Sequence, residues 1–154
     1  GLFPWESHYR AIPPRVFIEE FLEGEGSAGL VDYKVFVLHG SPVLVRVMTD
    51  RRKGRFSRAV YGTQWQPLDA VRPPLPWQDA DAWVAASDVP RPPLLPVLLD
   101  VSRKLAADMP FVSVDAYLVD GEVYVGELTF SPAGGAVPFP YAFDVALGAR
   151  FDVA

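Results

Sequence analysis

The stretch "FVSVDAYLVDGEVYVGELTFSPAGG", residues 111–135, decides the fold of this chain. Two runs of alternating β-type residues flank Asp120 and Gly121, which predicts an antiparallel hairpin. Two acids, Asp115 and Glu127, interrupt these otherwise apolar runs. The question that the stretch raises is which face of the hairpin carries the carboxylates.

Two turns can join the strands, and they place Glu127 on opposite faces. A two-residue turn at 120–121 would bury the Glu127 carboxylate among aliphatic side chains, which costs several kcal/mol. A three-residue loop over 119–121, with Gly121 in the left-handed conformation, keeps the carboxylate on the polar face. We therefore predict the three-residue loop.

In that register the polar face gathers Asp115, Glu127 and Thr129. Asp115 is expected to lie diagonal to Glu127, roughly 7–8 Å away at the backbone, with Ser113 directly opposite Glu127. Two carboxylates that close repel each other unless a cation lies between them. Oxygen-only ligands suit Mg²⁺, so the face is a candidate metal site. The alternative is an ordinary solvated face of an antiparallel sheet.

Composition limits the kind of protein. The 154 residues suit one domain, and half of them are hydrophobic, so the chain can bury a core. A net charge of −5 argues against a nucleic-acid partner. The absence of cysteine fits a reducing compartment, and we expect a cytoplasmic location. No apolar run approaches ~20 residues, so we expect no transmembrane segment.

The remaining segments predict strands around one helix. Residues 94–109 carry Leu94, Leu98, Val101 and Leu105 at helical spacing. We expect an α+β fold in which this helix packs on an antiparallel sheet. The predicted strands cover 15–22, 30–40, 42–49, 111–118 and 122–130.

Two other segments are expected to be irregular. Half of the 16 prolines fall between residues 67 and 96, which predicts a long Pro-rich loop over 67–93. The basic residues between 51 and 58 are expected to form a solvated loop. A phosphate or substrate clamp is the alternative for these basic residues.

Five segments, in order, resemble the TupA-like ATP-grasp family of cell-surface polysaccharide and teichuronopeptide biosynthesis. They extend the resemblance from about His8 to Gly148. The segments are "PRVFIEEFL", "DYKVFVLHG", "TQWQPL", "RPPLLPVLLDVSRKLAADMPFVSVDAYLVDG" and "VYVGELTFSPAGG".

The resemblance implies roles for the polar face and its neighbours. Asp115 and Glu127 would bind Mg²⁺, and Thr129 stands where other ATP-grasp enzymes carry Asn. Lys34 and Arg46 would stabilise the charge on the phosphoryl group during transfer. ATP and Mg²⁺ are the cofactors that this arrangement implies.

The resemblance also implies a site for the base of the nucleotide. An acid shortly after that site, Glu23 or Glu25, would hold the ribose hydroxyls. The interlobe strand that would bind adenine through its backbone comprises Glu19, Glu20, Phe21 and Leu22.

The reaction implied is ATP-dependent joining of a carboxylate to an amine through an acyl-phosphate. The partners would be a nucleotide and an acceptor that contains a carboxylate or a sugar. We expect residues 1–154 to be a single partial ATP-grasp domain, the interlobe strand plus the C-terminal lobe without the N-terminal lobe. Such a chain would be inactive alone.

One departure from the family pattern favours a different function. The family carries Arg where this chain has Ser113. The alternative is therefore a truncated, non-catalytic module that acts as a binding or scaffold domain. Part of a protein with a glycosyltransferase-type role is a further alternative.

Overall fold

The computed structural model describes residues 11–23, 29–49, 56–70, 83–85 and 89–151. Within these residues the chain forms a six-stranded sheet and two α-helices. The helices are α1 (Leu95–Ala106) and α2 (Tyr141–Gly148). The strands are β1 (Asp32–Leu38), β2 (Ser41–Thr49), β3 (Phe56–Tyr61), β4 (Trp83–Ala85), β5 (Phe111–Val119) and β6 (Glu122–Thr129).

The strand order across the sheet is β4-β3-β2-β1-β5-β6. Neighbouring strands are antiparallel except for the parallel pair β3–β4. The α+β fold with a mainly antiparallel sheet is therefore confirmed. β3 and β4 were not predicted. β4 lies inside the segment that was expected to be a Pro-rich loop. In the described part of the chain, neither helix is long and apolar enough to cross a membrane.

The predicted strand over residues 15–22 is wrong. This segment forms no regular element and lies outside the sheet. Val16 and Ile18 are 99% and 98% exposed. Branched and aromatic side chains favour a strand only where a neighbouring strand pairs with it and buries one face. The composition of this segment is β-like, but the described sheet gives it no partner.

One face of the sheet packs against α1 and forms the larger core. The helix buries Leu95, Leu98, Ser102 and Ala106. Three of these four lie one residue after the predicted positions 94, 101 and 105, and Leu98 is the position that both sets share. The Ser102 hydroxyl donates a hydrogen bond to the carbonyl of Leu98 at 2.7 Å, which satisfies its polar group inside the core. Trp65 joins this core from the connection after β3. The sheet contributes Tyr33, Val35, Val37, Val45, Val47, Ala59, Tyr61, Val112, Val114 and Ala116.

The opposite face is only partly covered by the C-terminal segment. Phe36 and Leu44 are buried there, beneath Val137, Phe139 and the side chains of α2. The Phe36 and Phe139 rings meet edge to face with centroids 6.1 Å apart. The remainder of this face, further along β1 and β5, carries charged side chains.

The β5–β6 hairpin has the two-residue turn, and the predicted three-residue loop is wrong. Asp120 and Gly121 both have positive φ, 51° and 79°, and Val119 pairs with Glu122. These are the features of a type I′ turn, whose twist matches that of the flanking strands. The left-handed conformation of Gly121 is confirmed. Asp at the first turn position tolerates positive φ, so the Asp-Gly pair suffices for the turn.

A β-bulge at Gly126 then restores the polar face. Ala116 pairs with Val125, whereas Asp115 pairs with Glu127, so Gly126 is an extra residue in β6. The extra residue shifts the alternation of side chains by one. Glu127 therefore shares a face with Asp115, as predicted. It lies directly opposite Asp115, however, and the predicted diagonal arrangement is wrong.

An aromatic clamp holds the end of the long Pro-rich connection. The Tyr61 and Trp65 rings are parallel, with centroids 4.3 Å apart. Trp65 Nε1 donates to the carbonyl of Val89 at 3.0 Å, and the Val89 amide donates to the Tyr61 hydroxyl at 3.1 Å. These bonds fix Val89 beside the sheet shortly before α1 begins.

Candidate functional site

Four charged side chains form a row across the sheet, perpendicular to its strands. Lys34 in β1 pairs with Arg46 in β2 and with Asp115 in β5, and Asp115 pairs with Glu127 in β6. Directly paired residues of neighbouring strands point to the same face, about 5 Å apart. We call this set the charged row. It brings together both residues predicted to be catalytic and two of the three predicted to bind metal.

The Lys34 ammonium lies between two carboxylates. It forms an ion pair with Asp115 Oδ2, and its Nζ is 3.2 Å from Asp32 Oδ2. The Lys34 side chain is 18% exposed, whereas Asp32 is 1% exposed. The ammonium therefore offsets the repulsion between the two buried acids. The cation predicted from the sequence was a metal ion between Asp115 and Glu127, whereas the cation that contacts Asp115 here is the Lys34 side chain.

Burial controls the ionisation of Asp115. Removal of its carboxyl from water raises the pKa, while the Lys34 ammonium and a hydrogen bond from Ser113 act in the opposite direction. Ser113 Oγ donates to Asp115 Oδ1 at 2.8 Å. The pKa of Asp115 is raised overall, so the cation and the hydroxyl do not fully offset burial. A carboxylate in this condition gains stability from any further positive charge brought close to it.

Asp32 belongs to the site, and the sequence reasoning missed it. It lies two residues before Lys34 in β1, so both side chains project from the same face of the strand. The spacing Asp-x-Lys within an apolar strand was the available signal. Because burial of a carboxylate is costly without a cation, its contact with Lys34 helps to offset the cost of its burial.

Arg46 continues the charged row into a more buried environment. Burial, and secondly repulsion from Arg58, lower its pKa to about 10, although Asp115 and Asp32 act to raise it. Its guanidinium lies 5.8 Å from the centroid of the Phe36 ring and 5.9 Å from that of Phe139. An aromatic ring attracts a cation that lies within about 6 Å of its centroid, so both rings stabilise the charged guanidinium.

Arg58 is a second residue that the sequence reasoning misplaced. It was expected in a solvated loop, but it lies in β3, where it pairs with Met48. Met48 in turn pairs with Asp32, so Arg58 and Asp32 share the face of the charged row. Burial lowers the Arg58 pKa. The other basic residues of that segment, 51–55, lie outside the described residues.

Glu127 and Thr129 form the exposed end of the site. The Thr129 hydroxyl donates a hydrogen bond to Glu127 Oε1, and Glu127 is exposed. Thr129 pairs with Ser113 across the hairpin, so the predicted placement of Ser113 opposite Glu127 is wrong. The two-residue turn and the bulge at Gly126 are together the cause, since each shifts the later residues of β6 by one place relative to β5.

The donors on this face have the chemistry that Mg²⁺ prefers. Asp115, Glu127 and Thr129 offer only hard oxygen atoms, and Asp115 already carries a cation on Oδ2. Within the described ranges no group of three or more His, Cys, Asp or Glu residues is arranged to hold a metal. Two carboxylates are nevertheless enough for Mg²⁺, which keeps several of its waters and takes phosphate oxygens as ligands. The donor set therefore fits Mg²⁺ that arrives with a nucleotide.

The residues predicted to bind adenine and ribose are not part of the charged row. Glu19, Glu20 and Phe21 are exposed, and Leu22 is half-buried, in the segment that lies outside the sheet. Glu25 lies outside the described residues. The adenine and ribose roles of these residues stay predictions.

Comparison with known proteins agrees with the family resemblance. The family model described as TupA-like ATPgrasp matches residues 4–152. This chain belongs to the TupA-like ATP-grasp family. No match was found among curated proteins or among solved structures.

Proposed function

We propose that this chain supplies the metal-binding and phosphate-binding face of an ATP-dependent carboxylate–amine ligase. The observation that carries the proposal is the charged row, in which two cations and two anions occupy paired positions on four neighbouring strands. A structural role for these charges alone would not require Glu127 to be exposed at the end of the row. Membership of an ATP-grasp family supports nucleotide binding.

In this proposal the cations of the row bind the phosphates. The Lys34 ammonium and the Arg46 guanidinium would lie along the nucleotide and stabilise negative charge on the phosphoryl group that is transferred. Arg46 is held over two aromatic rings, so its position is fixed before a ligand binds. Lys34 is held by two carboxylates and would exchange part of this contact for a phosphate oxygen.

The anions of the row would hold the metal. Asp115 and Glu127 would share Mg²⁺, and the Thr129 hydroxyl orients Glu127 through its hydrogen bond. When bound, Mg²⁺ would spread the charge of the transferring phosphoryl group. Ser113 Oγ bonds only one oxygen of Asp115, so its role would be to fix the rotation of that carboxylate.

The finer assignments are part of the proposal. We place the reaction in the assembly of cell-surface polysaccharide, with a carboxylate- or sugar-containing acceptor, and in the cytoplasm. The described residues would form the C-terminal lobe of the ATP-grasp fold, and a second lobe would cover the nucleotide. Residues 19–22 would bind adenine between the two lobes.

A non-catalytic binding module is the second candidate. The observation that favours it is the ion pair of Lys34 with Asp115, because the ammonium occupies a carboxylate oxygen that the metal would need. In that case the charged row would be a closed network that stabilises the sheet. Ser113, which stands in place of the family arginine, favours the same candidate.

A metal titration separates the two candidates. Mn²⁺ binding is followed by water-proton relaxation in wild type, Glu127→Gln and the matched control Glu122→Gln, which removes the same charge from the same strand. We expect Glu127→Gln to weaken Mn²⁺ binding at least tenfold, about 1.4 kcal/mol, and Glu122→Gln to leave it unchanged. Addition of ATP should tighten Mn²⁺ binding in wild type.

Equal Mn²⁺ affinity in the Glu127→Gln and Glu122→Gln variants would remove the metal site and leave the binding module. Thermal unfolding of both variants shows whether the sheet is intact. Both changes are at exposed positions, so we expect each variant to fold like the wild type.

A further inference from the structure

A cavity of about 560 Å³ lies on the face of the charged row, between the sheet and the C-terminal segment. We call it the aromatic cavity, because its walls include the rings of Phe36, Phe111, Phe130, Phe139 and Phe151. Cavities of about 300–1,000 Å³ with mainly apolar walls are typical of small-molecule sites. The size and lining therefore suit an apolar group of a small ligand.

The walls of the cavity are held in place before any ligand binds. The Phe36 ring meets the Phe111 ring edge to face, with centroids 5.3 Å apart, and Phe111 also contacts Phe151 at 5.8 Å. Phe139 packs on Phe143 of α2 at 5.2 Å. Aromatic rings packed in this way keep their orientation, so the cavity does not have to be opened by the ligand.

The aromatic cavity adjoins the charged row. The Arg46 guanidinium lies over Phe36 and Phe139, and both rings line the cavity. On the other side, Phe130 of the cavity wall directly follows Thr129 in the chain. A ligand in the cavity would therefore lie next to the groups that we assign to phosphate and metal.

The charge at the cavity points to the sign of the ligand. Among the described residues that line it, Asp144 alone is charged. Asp144 lies in the first turn of α2 and is exposed, so its carboxylate faces water at the rim. The Arg46 guanidinium contacts the Phe36 and Phe139 rings but does not line the cavity. Because the charged group that lines the cavity is a carboxylate, it favours an ammonium group attached to an apolar body over an anion.

We propose that the aromatic cavity binds a primary amine with an apolar or aromatic body, whose ammonium group pairs with Asp144. Its identification as the acceptor amine of the ligase rests on the proposed function. In that step the ammonium loses a proton to solvent, and its nitrogen forms a C–N bond with the carbonyl carbon of the acyl-phosphate. The C–O bond to phosphate breaks, phosphate leaves with the bonding pair, and the second proton lost by the nitrogen passes to the departing phosphate, which leaves an amide.

Binding of 3-phenylpropylamine by the whole chain, without metal or nucleotide, tests the site. The neutral 3-phenylpropan-1-ol and the anionic 3-phenylpropanoate are the ligand controls. Two-dimensional ¹H–¹⁵N spectra locate the ligand, and a calorimetric titration gives its affinity. We expect the amine to shift the amide signals of Phe130, Val137 and Leu147, and to bind more tightly than the alcohol and the acid.

Variants at Asp144 test the charge. Asp144→Asn should weaken binding of the amine about fivefold, as expected for an exposed ion pair, without affecting the alcohol. Asp144→Lys should reverse the preference, so that 3-phenylpropanoate binds more tightly than the amine. Asp108→Asn is the matched control, since it removes one exposed carboxylate after α1 and should leave all three affinities unchanged. Circular dichroism of each variant monitors folding of α2.

Shifts that map elsewhere, or equal affinity of amine and alcohol in wild type and Asp144→Asn, would overturn the proposal. The result is independent of the metal titration. If the amine binds and Mn²⁺ does not, the cavity is an amine site and the ligase assignment fails. If Mn²⁺ binds at Glu127 and the amine does not, the ligase assignment stands and the cavity proposal fails.

Discussion

Asp115 and Glu127 are direct partners across the β5–β6 ladder because Gly126 adds one residue to β6. If Gly126 paired regularly with Asp115, Glu127 would instead pair with Val114, and its side chain would lie on the face that packs against α1. The bulge thus keeps a carboxylate out of the core, where it would cost several kcal/mol. The hairpin turn and the bulge together set the face on which the charged row lies.

Gly126→Ala should destabilise the hairpin. A Cβ at this position would lie 3.2 Å from Cε2 of Tyr117, so the ring must move. We expect the free energy of unfolding to fall by about 1–2 kcal/mol, as for other overpacking changes. Chemical denaturation measures it, with Val125→Ala as the control. In a Tyr117→Leu background, which lacks Cε2, the same Ala substitution should cost less, and an equal cost in both backgrounds would contradict the steric account.

Lys34→Met should separate stability from metal binding. Loss of the ammonium leaves Asp32 and Asp115 without the cation that they share, so we expect the free energy of unfolding to fall by about 2 kcal/mol. Mn²⁺ should bind more tightly, because the metal no longer competes with Lys34 for Asp115 Oδ2. ATP should bind less tightly.

The control for Lys34→Met is Lys104→Met, which removes an exposed ammonium from α1. This variant should change neither the Mn²⁺ affinity nor the ATP affinity. Unchanged Mn²⁺ affinity in Lys34→Met would show that the ammonium and the metal do not compete for Asp115 Oδ2.

The raised pKa of Asp115 predicts the sign of a pH dependence. The native state holds the Asp115 proton more strongly than the unfolded chain, so ionisation disfavours folding. As pH rises from below the ordinary value of 3.8 through the raised pKa, wild type should lose stability relative to Asp115→Asn. Denaturation of the two proteins at several pH values measures the difference. A difference that grows in favour of wild type over this range would contradict the pKa direction.

Arg46→Met should preserve the fold while weakening nucleotide binding. Burial lowers the Arg46 pKa to about 10, so the charged form of this side chain is less stable in the fold than in water. Met fills the space beside Phe36 and Phe139 without that cost, so we expect the free energy of unfolding to stay level or to rise by about 1 kcal/mol. ATP affinity should fall about tenfold.

Arg103→Met, on the exposed side of α1, is the control for Arg46→Met. We expect it to leave ATP affinity unchanged. A fall of more than about 2 kcal/mol in the free energy of unfolding of Arg46→Met would mean that the guanidinium is a structural requirement.

The sequence was sufficient to predict that Asp115, Glu127 and Thr129 share one face of the hairpin. That Lys34 lies on the same face depends on the pairing of β1 with β5, which alternation within each strand does not predict. The cost of burying a carboxylate placed Glu127 on the face of Asp115. These inferences depend on burial, which the pattern of residue types reflects directly.

The local geometry of the hairpin could not be predicted in the same way. Asp120-Gly121 is the usual signal for a two-residue turn, but that turn alone places Glu127 in the core. The prediction changed the turn to avoid this, whereas the protein keeps the turn and adds Gly126 as a bulge. Both solutions obey the same constraint on burial, and only contacts between the strands distinguish them.

Tertiary packing also decided what the sequence left open elsewhere. Residues 15–22 have β-type composition, but strand formation depends on a partner that composition does not reveal. Ser102 lies on the buried stripe of α1 because its hydroxyl bonds a carbonyl of the same helix. A count of apolar residues assigns such a position to solvent. The same holds for Asp32, whose burial depends on Lys34.

The Tyr61–Trp65 clamp has a consequence for how this fold tolerates changes in length. β3 ends at Tyr61, whose ring stacks on Trp65. The same two side chains hydrogen-bond the backbone of Val89 and so hold the chain there. Lengthening the chain between two fixed points costs only about 0.6 kcal/mol for each doubling of its length. Insertions between residues 71 and 82 should therefore cost the sheet little, because Trp65 and Val89 hold the connection on either side of them.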